Sequence, residues 1–210
     1  MDTLNYCIKN STQNSSERKE LAEYTRQNIH GSHMLIGELE GTFFQYLIVA
    51  NKTQTILELG TYTGYSALTM AEALPATGKI ISLDINEKTQ NIARDHLQKS
   101  QQLSKIELKL TPAVDYLDQC LQAGLQFDMI FIDADKPAYP QYVEYAKKLV
   151  SKNGSIIIDN VLWHNKAANL EIQDKQTNAI RKACQILAED TQFITVMLPI
   201  RDGILLATRK

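Results

Sequence analysis

Two short runs place acids directly behind apolar residues: Phe131-Ile132-Asp133-Ala134-Asp135-Lys136 and Ile158-Asp159-Asn160. A short apolar run reads as a buried strand, so these acids fall at strand ends rather than inside a sheet. Asp133, Asp159 and Asn160 are hard oxygen donors. A set without Cys or His suits Mg²⁺, Mn²⁺ or Ca²⁺, and two carboxylates match the charge of a dication. Lys136 falls beside that cation. A single Asp at a strand end more often caps the next helix or turn; two such runs in consecutive strand units favour a site.

A second group lies upstream. Thr55-Ile56-Leu57-Glu58-Leu59-Gly60 reads as a strand ending in glycine, and Thr61-Tyr62-Thr63-Gly64-Tyr65-Ser66 leads into a helical pattern. Glycine lets backbone approach a ligand closely, and a helix start offers unpaired N–H groups. The spacing is G-x-x-x-G and not the dinucleotide G-x-G-x-x-G, which disfavours a pyrophosphate cradle. Lys79 to Asp84 reads as the next strand, and its terminal acid, about 20 residues after the glycine turn, can accept hydrogen bonds from ribose hydroxyls. With Glu58 as a further acid, the turn suits a cationic sulfonium nucleoside such as S-adenosylmethionine. By itself a G-x-x-x-G turn is weak, since glycines also end strands for steric reasons.

These residues need a scaffold that brings strand ends together. Apolar runs predict strands at 55–59, 79–84, 106–110, 128–133 and 155–159, with helices at 65–74, 87–100, 113–121 and 139–149 between them. That alternation implies right-handed crossovers and a parallel sheet with helices on both faces, ligands lying beyond the strands' carboxyl ends. After a helix at 174–189, strands at 193–198 and 204–208 are joined by a connection short enough for an antiparallel hairpin. Helices are also expected at 17–28 and 38–50. In the latter, Phe43, Phe44, Leu47 and Ile48 form an apolar face for the sheet, while residues 10–16 read as loose. The fold class is therefore α/β with a mostly parallel seven-stranded sheet, in one domain spanning 1–210 with a helical N-terminal extension at 1–33.

Composition narrows the partners. A net charge of −2 provides no general basic field for nucleic acid or an anionic membrane. No apolar run reaches spanning length and no signal-peptide core is present, so a cytoplasmic protein is expected. Cys7, Cys120 and Cys184 are isolated and read as reduced thiols, Cys184 in register with Ile180 and Leu187 on a packed helix face. Lys147, Lys148, Lys152, Arg181 and Lys182 read as solvated faces. His30, His33 and His96 have no ligand spacing.

Taken in order, Glu58 to Ser66, Asp84, Asp133 to Lys136, Asp159-Asn160-Val161-Leu162-Trp163 and Leu198-Pro199-Ile200-Arg201-Asp202-Gly203 resemble the cation-dependent O-methyltransferase family, which includes catechol and caffeoyl-CoA O-methyltransferases. The resemblance implies a Rossmann-like S-adenosylmethionine methyltransferase fold and release of S-adenosylhomocysteine. It makes Asp133, Asp159 and Asn160 ligands of a divalent cation, Mg²⁺ before Mn²⁺ or Ca²⁺, and places Lys136, with Asp133, in the catalytic set. Lys136 then either takes the acceptor's proton or stays charged beside the phenolate. Ile36, Glu58, Gly60, Thr61, Ser66, Asp84, Ala113 and Asp135 fall where the family contacts the methyl donor, Ile36 and Ala113 through backbone or packing. A homodimer is also implied. Arg201 stands where relatives often carry glycine, and His164 where plant caffeoyl-CoA enzymes have an acceptor-binding asparagine. The first 33 residues lack a CoA-binding pattern, so a small catechol-like or polyhydroxylated aromatic acceptor is expected over a thioester. Methylation of 5-hydroxyuridine in tRNA is a second reading within the class. A nicotinamide-dependent oxidoreductase is a reading from another class, but it lacks the pyrophosphate glycines.

Overall fold

A computed structural model describes all residues from Met1 to Lys210. Its strands are β1 (Thr55–Leu59), β2 (Lys79–Asp84), β3 (Ile106–Leu110), β4 (Phe127–Ile132), β5 (Val150–Asp159), β6 (Phe193–Leu198) and β7 (Ile204–Arg209). The helices are α1 (Thr3–Lys9), α2 (Ser16–Asn28), α3 (Glu38–Ala50), α4 (Tyr65–Ala73), α5 (Glu87–Leu97), α6 (Ala113–Gln122), α7 (Tyr139–Leu149) and α8 (Lys175–Ala188). One seven-stranded sheet has the order β3-β2-β1-β4-β5-β7-β6. β2 runs parallel to β3, β1 to β4 and β4 to β5, whereas β7 is antiparallel to both β5 and β6. The expected fold class is borne out, C-terminal hairpin included. Backbone contacts divide the chain into two compact units: Met1–Gln54 with Thr61–Leu110, and Thr55–Gly60 with Thr111–Lys210.

In the unit that contains β1, the central strands carry apolar runs, broken in β1 by the buried Glu58. Ile56, Leu57, Leu59, Met129 to Ile132 and Ile156 to Ile158 are fully buried, as parallel strands covered on both faces must be. β5 is longer than its apolar residues suggest. Val150 still pairs with Phe127 across a register shift, and the polar stretch that follows, with Asn153 at φ +63°, is carried inside the strand.

The loop after β5 is held from two sides. From the β6–β7 hairpin, the Gly203 and Asp202 carbonyls accept from Val161 and Leu162 N–H at 3.0 and 2.8 Å. A Cβ at Gly203, whose φ is +84°, would lie 2.4 Å from Leu162 Cγ, so only glycine fits there. From α8, Arg181 donates to the carbonyls of Lys166, Ala167, Asn169 and Ile172 and to Asn178 Oδ1. This corrects the expectation of a solvated Arg181: a guanidinium has five N–H donors, and here they tie loop backbone that lacks ladder partners.

In the other unit, α3 packs on α4. Gly41 permits the approach, since a Cβ there would meet Thr69 Cγ2 at 2.9 Å. Phe44 and Ile48 are buried but Phe43 and Leu47 only partly, so the apolar face of α3 is narrower than expected and serves a helix rather than the sheet. α1 was not foreseen. It buries no residue, and Asp2 caps it by accepting from Asn5 N–H at 2.9 Å.

Replacing Arg181 with Met should lower unfolding stability by about 1 to 2 kcal/mol, because four loop carbonyls lose a charged donor. It should also speed amide exchange across residues 166–172, while Arg181→Lys recovers only part. Urea titration and hydrogen-exchange mass spectrometry read both effects; unchanged exchange in that loop would contradict the anchoring role.

Candidate functional site

The unit containing β1, β4 and β5 builds a cationic centre at strand ends. Asp133 follows β4 and its N–H donates to Leu59 O at 2.9 Å. Gly60, at φ +106°, allows this approach: a Cβ there would lie 2.0 Å from the Asp133 carbonyl oxygen. Lys136, in a 3₁₀ turn before α7, is only 8% exposed. Its Nζ donates to Asp133 Oδ1 at 2.9 Å, Asn160 Oδ1 at 2.7 Å and the Tyr139 hydroxyl at 2.5 Å. An ammonium has three protons, and each has an oxygen. The charge also lies 4.7 Å from the Tyr139 ring centroid and 5.8 Å from that of Trp163, within range of cation–π attraction.

Asp159 ends β5, is 2% exposed, and accepts from Asn160 N–H through Oδ1 at 2.6 Å. Asn160 has φ +58°, a left-handed conformation that asparagine tolerates better than most residues. Asp133 and Asn160 therefore converge on one cation, with Asp159 the residue adjacent to Asn160. No group of three or more His, Cys, Asp or Glu side chains is placed to hold a metal; the candidate set here is two carboxylates and an amide. Asp135 is exposed, and its Oδ1 accepts from the Tyr142 hydroxyl at 2.5 Å.

Tyr139 and Tyr142 were not singled out in the sequence, although Tyr139 lies three residues after Lys136 and so within reach of it. Tyr139 is fully buried, and its hydroxyl donates to Asp159 O at 3.2 Å. Burial, followed by the fields of Asp133, Asp159 and Asp135, pushes its pKa well above the usual tyrosine range. Tyr142 is raised for the same first reason and by its bond to Asp135. Cys184, on α8, is half-buried, and its thiol is pushed up to about 12 by burial, which makes it a packing residue and not a nucleophile.

Of the donor-site candidates, Glu58 is fully buried on β1 and Ala113 opens α6. Like these two, Gly60 and Asp135 belong to the unit that contains β1, whereas Ile36, Thr61, Ser66 and Asp84 belong to the unit that contains β2. Thr61 N–H donates to Leu83 O at 3.1 Å, and its hydroxyl lies 2.7 Å from Ser82 Oγ. Asp84, ending β2, accepts from Tyr62 N–H at 2.7 Å through Oδ2 and from Asn86 N–H at 2.8 Å through Oδ1. Each oxygen keeps a second lone pair for a ligand hydroxyl. Ser66 lies in the first turn of α4, after Gly64 at φ +84°, where a Cβ would crowd Ala93 Cβ at 3.0 Å. Ile36 is buried just before α3.

The O-methyltransferase family model matches residues 8–210. "Probable caffeoyl-CoA O-methyltransferase 1" of Dictyostelium discoideum is 35% identical, covering 98% of this chain and 91% of its own length. The "Catechol O-methyltransferase" of Niastella koreensis is 33% identical, covering 81% and 80% respectively. Among solved structures, the O-methyltransferase from Bacillus cereus in complex with SAH superposes with a TM-score of 0.90 at 28% identity, over 98% of this chain and 96% of that one. The chain belongs to the O-methyltransferase family and is an S-adenosylmethionine-dependent enzyme. The nicotinamide reading is thereby set aside. No helix is long and apolar enough to cross a membrane.

The tyrosines predict an alkaline limit to stability. An unfolded tyrosine ionises near 10, whereas folded Tyr139 and Tyr142 keep their protons above that. Their contribution is complete below about pH 10 and declines above it, where the unfolded chain releases protons the folded one retains. Urea midpoints at pH 9 and 11 should therefore fall less in the Tyr139→Phe/Tyr142→Phe double variant than in wild type; equal falls would contradict the assignment.

Proposed function

We propose that this enzyme transfers the sulfonium methyl of S-adenosylmethionine to one hydroxyl of a vicinal aromatic diol, with a divalent cation bound by Asp133, Asp159 and Asn160. The observation that carries this reading is the convergence of Asp133 Oδ1 and Asn160 Oδ1 on a single positive charge, the Lys136 ammonium. Hard oxygens of this kind suit Mg²⁺ or Mn²⁺. The relatives from Dictyostelium discoideum and Niastella koreensis are named for caffeoyl-CoA and for catechol, both of which carry a vicinal aromatic diol.

A phenolic hydroxyl has a pKa near 10, so at neutral pH roughly one molecule in a thousand is the nucleophilic anion. Asp133, Asp159 and Asn160 would hold the dication, which when bound would supply Lewis acidity that lowers this pKa. Lys136 places a second positive charge where the acceptor oxygen becomes anionic, and Tyr139 keeps that ammonium in place. Trp163, beside Lys136, supplies an apolar wall for the ring. On the donor side, Asp84 accepts from the ribose hydroxyls and Ser66 hydrogen-bonds the amino-acid carboxylate. The new O–CH₃ bond forms as the S–CH₃ bond breaks; the sulfonium becomes a neutral thioether and the hydroxyl proton leaves to solvent. Orientation of the two reactants contributes up to about 7 to 11 kcal/mol.

Labelled S-adenosylmethionine with a panel of catechols, monophenols and hydroxylated tRNA tests the proposal. Label should enter catechols in the presence of Mg²⁺. EDTA, Asp133→Ala and Lys136→Ala should each reduce turnover by a hundredfold or more, on the order of 3 kcal/mol of barrier. Full activity after EDTA treatment would remove the metal step, and label entering tRNA alone would replace the acceptor.

A further inference from the structure

Polar side chains in α2 and just before it reach inward to α4 or to the turn before it. At the start of α2, Ser15 donates to Glu72 Oε1 at 2.5 Å, and the Arg18 guanidinium, only 1% exposed, lies 2.9 Å from Glu72 Oε2. Just before the helix, Asn14 donates to the Tyr65 hydroxyl at 2.9 Å. Near its end, Thr25 Oγ1 lies 3.1 Å from Thr63 Oγ1, both residues being fully buried. Thr25 Oγ1 also lies 2.8 Å from Leu21 O. One hydroxyl carries one proton; with the Thr25 proton on the Leu21 carbonyl, Thr63 supplies the proton between the two threonines. Beyond α2, the Tyr62 hydroxyl donates to His30 O at 3.3 Å.

The two helices are thus latched at several points: the start of α2 holds Glu72 near the end of α4, Asn14 holds Tyr65 at its start, and the end of α2 holds the turn that opens α4. A buried ion pair is a poor source of net stability, but a strong constraint on register, because a slipped pair leaves a charge unpaired. Within the turn, Tyr62 is fixed through its N–H to Asp84 and Thr63 through its side chain to α2. We infer that α2 is the positioning element of the donor turn and that Thr25, through Thr63, is a positioning residue for S-adenosylmethionine. This rests on the reading above that the turn and Asp84 hold the donor.

The test is calorimetric titration of S-adenosylhomocysteine into wild type, Thr25→Val, Thr25→Ser, Thr63→Val, the Thr25→Val/Thr63→Val double variant and Asp84→Asn. Each valine variant should weaken binding about fivefold, the scale of one net hydrogen bond. The double variant should be no weaker than either single one, since both remove the same bond. Thr25→Ser should bind like wild type. In steady state, the S-adenosylmethionine KM should rise by the same factor while kcat at saturating donor holds. Wild-type affinity in a folded Thr25→Val protein, additive losses in the double variant, or a fall in kcat with donor KM unchanged would each overturn the inference. If Thr25→Val does not fold, Thr63→Val breaks the bond from the other side and wild-type affinity there counts equally against it. Asp84→Asn should lose binding whatever α2 does. If it binds as wild type, the donor-turn reading itself fails and takes the inference with it; if only the threonine variants bind normally, the inference fails alone.

Discussion

A buried ammonium must find an oxygen for every proton, and Lys136 does so with Asp133, Asn160 and Tyr139. Left unpaired at this depth, the ammonium would cost several kcal/mol. The requirement explains features that otherwise look unrelated. Asp133 must sit at the end of β4, which only a glycine at position 60 allows. Asn160 must turn into the left-handed region to aim its amide. Tyr139 must be buried with its proton retained, since its oxygen accepts from Lys136 while its O–H serves the Asp159 carbonyl.

Backbone strain gathers around the same centre. Asn160, Trp163, His164, Asn165 and Arg201 all have positive φ, and non-glycine residues hold such conformations only where the surroundings over-determine them. The surroundings here are explicit: Asp202 Oδ1 accepts from His164 N–H at 2.6 Å, the hairpin carbonyls take Val161 and Leu162, and Arg181 ties residues 166–172. His164 itself is exposed. A loop held this firmly can present Trp163 beside Lys136 without relying on the ligand to order it.

The sequence revealed most clearly what apolar pattern and strand-end chemistry determine. β1, β2, β3, β6, α3 and α7 have the bounds expected from their apolar runs; Gly60, Asp84 and Asn51 mark the stops of β1, β2 and α3, and Pro112 and Pro199 follow closely on β3 and β6. α1 lacked such a signal because it buries nothing. The first half of β5 was hidden because its residues are polar and its pairing depends on Phe127. Asp133, Lys136 and Asn160 could be placed in one site from their motif. Arg181 and Thr25 could not, since their partners are loop carbonyls and a hydroxyl distant in sequence, which leave no local pattern. Tyr139 did leave a local signal, its spacing of three residues from Lys136.

The central claim is that Asp133, Asp159 and Asn160 hold a dication beside Lys136 during methyl transfer. Its most direct test is a crystal grown with Mn²⁺, S-adenosylhomocysteine and a catechol, with anomalous scattering recorded at the manganese edge. The account predicts one anomalous peak coordinated by those three side chains and by both catechol oxygens, with Lys136 Nζ against the reacting oxygen. A catechol seated in the site with no manganese peak, or a peak bound by other residues, would contradict it.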